Sequence, residues 1–211
     1  MTSKVPDAEL LIAPGCAHCP AVMAALGDLL KQGSLGRLDI VNVVAFPQHA
    51  AERGARGVPW TRIGPFELAG ALTPAELATW VERAGSDDGM RSYLSEGLAG
   101  GELATVTAAC RRSPALLGPL LDLAADLETP FAVRIGVGAV VEELAADGIP
   151  DAAVQRIIDM SHSDVAQVRA DAAHFLGLAA TDPARARLAE LRDDPDHEVR
   201  EIATESLAEL G

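Results

Sequence analysis

The chain is short of aromatic residues, which make up 3% of its 211 positions, so any core must be filled by Ala, Leu, Val and Ile. Cores of that kind suit packed helices. Lysine is scarcer still: residues 86–211 contain ten Arg, no Lys and 23 Asp or Glu, a net of −13. Residues 1–85 carry seven basic and eight acidic side chains, a net of −1. Phosphate binding needs a basic face, and neither half supplies a net one, which argues against nucleic-acid binding. The acidic half repels an anionic membrane as well. No stretch approaches the roughly 20 apolar residues of a membrane span. The opening residues, MTSKVPDAELLIAPG, lack the apolar run of a secretory leader, because Leu10-Leu11-Ile12-Ala13 is short and follows Asp7 and Glu9. A cytoplasmic location is the expectation. Three cysteines, two of them separated by two residues, do not make the framework of a disulfide-rich secreted domain.

What is present falls into two patterns. The first half alternates strand and helix signals. Glu9 to Ala13 reads as a strand broken by Pro14-Gly15. CAHCPAVMAALGDLLKQG then reads as a helix, with Val22, Met23, Leu26, Leu29 and Leu30 at three- and four-residue spacing and Gly33 as its stop. Arg37 to Ala45 is strand-like, and Pro47 to Arg53 is a short helix with Pro in its first turn. Gly57-Val58-Pro59 makes a sharp turn, followed by a hairpin of Trp60–Ile63 and Glu67–Ala69 around Gly64-Pro65. Thr73-Pro74-Ala75-Glu76 is a capping box that opens a helix to Ala84. The order β-α-β-α-β-β-α is that of an α/β domain over residues 1–85.

Gly85 to Gly89 reads as a linker into an all-α domain over residues 86–211. Its breaks are Gly100-Gly101, Ser113-Pro114, Thr129-Pro130, Gly148-Ile149-Pro150, Thr181-Asp182-Pro183 and Asp194-Pro195. This half also repeats itself. Val133-Arg134, Val168-Arg169 and Val199-Arg200 lie 35 and then 31 residues apart, a period that means stacked helix pairs. The segment DPDHEVREIATESLAEL resembles the short HEAT-like repeat, matched by SDVAQVRADAAHFLGLA and more loosely by ETPFAVRIGVGAVVEEL. Each Val is expected to fill the core between helices. Each Arg is expected to span to an Asp or Glu of a neighbouring turn. Residues 90–112 are expected to form an end cap, since a stack must finish on a polar face.

Chemistry concentrates at Gly15-Cys16-Ala17-His18-Cys19-Pro20, between a strand and a helix, which is the context of a redox CxxC. At a helix N-terminus, free amides and the positive dipole end favour a thiolate at Cys16, and Cys19 lies within reach to resolve a mixed disulfide. Residues 10–84 resemble thioredoxin-fold domains. Within these they are most similar to the N-terminal disulfide domain of the flavoprotein subunit of alkyl hydroperoxide reductase and to protein disulfide oxidoreductases. The resemblance rests on CAHCP followed by Ala21–Leu26, on Gly57-Val58-Pro59 and on Leu72–Leu77. It implies dithiol electron transfer, with Cys16 as attacking thiol, Cys19 as resolving thiol and a cis Val58-Pro59 shaping the substrate groove. Flavin and nicotinamide domains are absent, and no cofactor is expected. Nor does the first strand carry the buried Asp that thioredoxins place beneath the pair.

His18, between the two sulfurs, can stabilise the Cys16 thiolate and so raise the oxidising power of the disulfide. Trp60 is either a substrate platform beside Pro59 or part of the core. A CxxC can instead bind metal with His18 as a third ligand, although no second CxxC or paired His completes a closed zinc site. Cys110 reads as a buried helical thiol, the remaining histidines are scattered, and Asp193–Asp196 reads as a solvated turn. Together these features predict a thiol–disulfide oxidoreductase whose helical repeats dock a protein partner. The competing expectation is a non-catalytic adaptor or metal-binding protein in which the repeats bind a partner and the first domain only binds a partner or a metal ion.

Overall fold

The computed structural model describes residues 5–210, which divide into two compact units between Met90 and Arg91. In the first, β1 (Ala8–Ile12), α1 (Cys19–Lys31), β2 (Leu38–Asn42), α2 (Pro47–Glu52), β3 (Trp60–Ile63), β4 (Phe66–Ala69) and α3 (Pro74–Ala84) follow the expected order. The four strands form one mixed sheet in the order β2-β1-β3-β4. β1 runs parallel to β2, with Leu10 opposite Ile40, and antiparallel to β3, with Leu11 opposite Trp60. β3 and β4 form the antiparallel hairpin.

Strand alternation decides the core. Ala8 and Leu10 of β1 and Ile63 of β3 pack with Val22 and Leu26 of α1 and Leu77 and Val81 of α3. Thr73 caps α3 as expected: its hydroxyl accepts from the Glu76 amide, and the Glu76 carboxylate accepts from the Thr73 amide in return. β2 ends sooner than its β-branched sequence predicts. The Asn42 side-chain oxygen accepts from the Val44 amide, and the Asn42 carbonyl accepts from Ala45 and Phe46. This Asx turn folds Val43-Val44-Ala45 out of the strand.

The expected linker is largely helix. Gly85 ends α3, and α4 (Asp87–Ala99) starts two residues later. The Ser86 hydroxyl accepts from the Gly89 amide at 3.0 Å, capping α4, and Asp87 and Asp88 complement the positive end of the helix. Gly89 is required by space rather than flexibility, since a Cβ there would lie 2.4 Å from the Arg83 Cα.

The rest of the chain is helical. α5 (Leu103–Arg112) leads through a 3-10 turn at Pro114–Leu116 to α6 (Leu117–Ala125). α7 (Phe131–Ala145), α8 (Asp151–Met160), α9 (Ala166–Ala179), α10 (Asp182–Leu191) and α11 (His197–Leu210) follow. α7, α9 and α11 pack in succession, as do α6, α8 and α10. Val133, Val168 and Val199 are all buried. Arg134 of α7 donates to Asp171 of α9, and Arg169 of α9 grips Asp194 with two bonds of 2.8 Å. Arg169 and Arg200 also donate to the carbonyls six and five residues before them: Ser163 and Asp164 for the first, Asp194 and Pro195 for the second. A second series links the even-numbered helices, since Arg156 of α8 donates to Asp122 of α6, and Arg187 of α10 donates to the hydroxyl and carbonyl of Ser161. Among the described residues no helix is long and apolar enough to cross a membrane.

Candidate functional site

The Cys pair sits where a strand hands the chain to a helix. β1 ends at Ile12, Pro14 and Gly15 turn the chain, and Gly15 takes a φ of +80°, a conformation that glycine adopts without penalty. The Cys16 amide donates to the Ala13 carbonyl and closes that turn. The helix begins at Cys19, three residues later than the sequence reading placed it. Proline explains the shift. Pro20 is tolerated in a first turn, but its ring would clash with the carbonyl at position 16 in a helix that started there. Cys16 therefore lies just ahead of α1 rather than inside it.

That displacement aims a donor at the sulfur. The Cys19 amide, one of the helix N–H groups without a helical acceptor, points to the Cys16 Sγ at 3.1 Å. Cys16 and Cys19 are joined as a disulfide with a Cα–Cα separation of 5.5 Å. Cys16 is half-buried, whereas Cys19 is only 4% exposed. An incoming sulfur can therefore reach Cys16 more readily than Cys19. His18 is exposed and occupies the N-cap position without a side-chain capping bond.

The antiparallel pairing of Leu11 with Trp60 brings the start of β3 beside the C-terminal end of β1. Val58 and Pro59 immediately precede β3, so the sheet carries them to the same edge as the Cys loop. The Val58-Pro59 peptide is cis, and the Pro59 carbonyl accepts from the Gly70 amide. Val58 is half-buried and Pro59 buried. Trp60 is 5% exposed, which places its indole in the core and leaves almost none of it as a platform for substrate.

One buried acid, Glu9, is not among the residues that the sequence motifs single out. Glu9 lies on the sheet face opposite Ala8 and Leu10, with its side chain 6% exposed. Its carboxylate accepts from the Nε atoms of Arg53 at 3.1 Å and Arg62 at 3.3 Å, and His49 Nδ1 lies 3.8 Å away. Burial works to raise the Glu9 pKa, but the hydrogen bonds and charges of Arg53 and Arg62 outweigh it and hold the carboxyl below its ordinary value. A charged residue in an otherwise apolar strand was the available signal. Leu10, which packs under α1, is fully buried and apolar.

Cys110, in α5, is a free buried thiol whose pKa burial pushes up to about 12. Among the described residues no group of three or more His, Cys, Asp or Glu side chains gathers to hold a metal ion.

Residues 8–82 match the family model of the thioredoxin domain. The match spans the sheet, the Cys pair and all but the end of α3, and the first unit has the thioredoxin fold. No curated protein matches the chain.

Proposed function

We propose that the protein is a thiol–disulfide oxidoreductase that reduces a protein disulfide through Cys16 and Cys19, with the helical unit docking that partner. The observation that carries this reading is the asymmetric pair at the head of α1: an accessible Cys16 that accepts an amide, and a buried Cys19 behind it.

An amide aimed at Sγ stabilises negative charge on that sulfur, so in the reduced protein Cys16 is the better thiolate. The Cys16 thiolate attacks one sulfur of the substrate disulfide. The substrate's S–S bond breaks, its other sulfur leaves as a thiolate and takes a proton, and a mixed disulfide remains. The Cys19 thiolate then attacks the Cys16 Sγ and expels the second substrate sulfur. Two electrons pass to the substrate, and the Cys16–Cys19 disulfide is the oxidised product. Val58 and Pro59, at the same sheet edge, form the groove in which the substrate backbone lies. His18 adjusts the potential from the solvent side. No cofactor takes part in these steps.

The similarity to the alkyl hydroperoxide reductase disulfide domain and to protein disulfide oxidoreductases supports the dithiol chemistry. In the helical unit, the buried Val and ion-paired Arg of α7, α9 and α11 support a HEAT-like stack, and such stacks present extended surfaces to proteins. A reductant of this kind belongs in a reducing compartment, which we take to be the cytoplasm.

The test is a Cys19→Ser variant, which can attack but cannot resolve. It should accumulate mixed disulfides through Cys16, identifiable by mass spectrometry, while the wild-type protein, recycled by excess dithiothreitol, reduces hydroxyethyl disulfide catalytically. A wild-type protein with no exchange activity, or mixed disulfides formed through Cys110, would sink the assignment.

A further inference from the structure

The three Val-Arg helices place comparable residues three before and one after the arginine. In α9 these are Ala166 and Ala170, and in α11 they are His197 and Glu201. In α7 they are Phe131 and Ile135, which are 76% and 57% exposed. Ala170 is buried within the stack, and in α11 both positions are exposed and polar, so α7 alone of the three presents large apolar groups to solvent here. Phe131 and Ile135 lie one turn apart on one face of α7. Leu127, in the turn ahead of the helix, is exposed as well. Farther along the same face, Gly138 leaves bare backbone, with nothing within 4 Å of where a Cβ would stand.

Charge identifies the occupant. Residues 91–211 hold ten basic and 21 acidic side chains, a net of −11. In the turn ahead of α7, Glu128 precedes Phe131 by three residues, and on the helix Glu142 follows Ile135 by seven, two turns on. Both are exposed. The nearby guanidinium is already engaged, since Arg134 donates to Asp171, and His174 Nε2 lies 3.3 Å from Glu142. A second copy of the same unit would bring another strongly negative surface to this one and be repelled. A cationic partner would gain at both ends of the apolar stripe.

Resting on the docking role proposed above, we infer that the α7 face formed by Phe131, Ile135 and Gly138, with Leu127 in the turn ahead of it, binds a basic amphipathic helix of a partner protein. Its apolar side would cover Phe131 and Ile135, its backbone would approach at Gly138, and its Lys or Arg residues would meet Glu128 and Glu142. Recognition of this kind reads an amphipathic helix through apolar anchors at helical spacing.

A fluorescent amphipathic peptide of Leu and Lys, added to the full-length protein, tests this against a counterpart carrying Glu in place of Lys. The basic peptide should bind, more weakly as salt is raised, and the acidic one should not. Phe131→Ser combined with Ile135→Ser should weaken binding by about tenfold or more, because two apolar anchors are lost. Glu128→Gln with Glu142→Gln should flatten the salt dependence. All four residues are exposed, so circular dichroism should show both variants folded. Equal affinity in the serine variant would overturn the proposal, as would equal binding of the acidic peptide. Self-association abolished by the serine variant would overturn it too, by assigning the face to a second copy. Reduction of hydroxyethyl disulfide should be unchanged in every variant. It reports the Cys pair alone, so its loss in the wild type would refute the oxidoreductase reading without touching this one.

Discussion

The clearest quantitative consequence of the structure concerns which thiol reacts. At about pH 7 an unperturbed thiol, with a pKa near 8.5, is roughly 3% thiolate. Cys110, its pKa pushed up to about 12 by burial, is ionised to on the order of one part in 10⁵ at that pH. The ratio is on the order of 10³ before any help to Cys16 is counted, and the Cys19 amide at 3.1 Å from its sulfur adds such help. Access widens the gap, since Cys110 is 1% exposed and Cys16 only half-buried. Cys19, buried behind Cys16, should fall between them. The assay is timed alkylation of the reduced, folded protein with iodoacetamide, read peptide by peptide in a mass spectrometer. Cys16 should be modified first, Cys19 later and Cys110 essentially only after denaturant is added. Raising the pH should speed Cys110 about tenfold per unit well beyond the point at which Cys16 has levelled off. Labelling of Cys110 within about tenfold of Cys16 in the folded protein near neutral pH would refute the reasoning.

Other substitutions probe the ionic interior and the Cys loop. Glu9→Gln leaves Arg53 and Arg62 facing a neutral partner and should cost about 1–3 kcal/mol in urea melts, less than a fully buried pair because both arginines are partly solvated. The Glu9 carboxyl is depressed in the folded state, so its contribution is present above the unfolded value of 4.5 and lost as pH falls through the lower folded value. The Gln variant should lack that acid-dependent component, and parallel acid profiles would contradict it. Arg169→Ala should cost about 3–5 kcal/mol, because it strands Asp194, whose side chain is 6% exposed, and unties the Ser163 and Asp164 carbonyls. A loss below about 0.5 kcal/mol in denaturant titrations would mean the pair carries no stability. His18→Ala should lower the reduction potential by less than ~30 mV, since the removed group is exposed and screened, and a higher potential in glutathione titrations would reverse its assigned role.

The element order of the first unit was legible because each of its signals is local. The capping box at Thr73–Glu76, the hairpin at Gly64-Pro65 and the Val58-Pro59 turn can all be read within a few residues. Errors arose where one local rule competed with another. Apolar spacing alone extends α1 back to Cys16, whereas Pro20 forbids it, and the proline decides. β-branched residues extend β2 to Ala45, whereas the Asn42 side chain offers the backbone a turn and wins. Gly85 and Gly89 suggest a flexible link, yet Ser86-Asp87-Asp88 between them is an N-cap and an acidic first turn. The break between α8 and α9, at Ser161–Val165, contains neither Gly nor Pro, so no breaker residue marks it. The Arg53–Glu9–Arg62 group could not have been read, because its members are 44 and 53 residues apart and meet only through sheet pairing.

The helical unit shows why a sequence repeat can be plain while its surface use is not. A buried Val and an arginine that ties two turn carbonyls solve the same packing problem in α9 and α11, so the pair recurs at nearly constant spacing. The second arginine series, Arg156 and Arg187, shares the 31-residue spacing of Arg169 and Arg200, but its acceptors differ: a carboxylate for one, a hydroxyl and a carbonyl for the other. Varied acceptors hide such a ladder from pattern matching, although its effect in fixing neighbouring helices is the same. What the repeat leaves free is the outward position on α7 and α11, where the residues are exposed and packing does not select them. There α7 carries Phe131 and Ile135 where α11 carries His197 and Glu201, a departure that the shared Val-Arg pattern does not account for and that the proposed docking of a basic helix does.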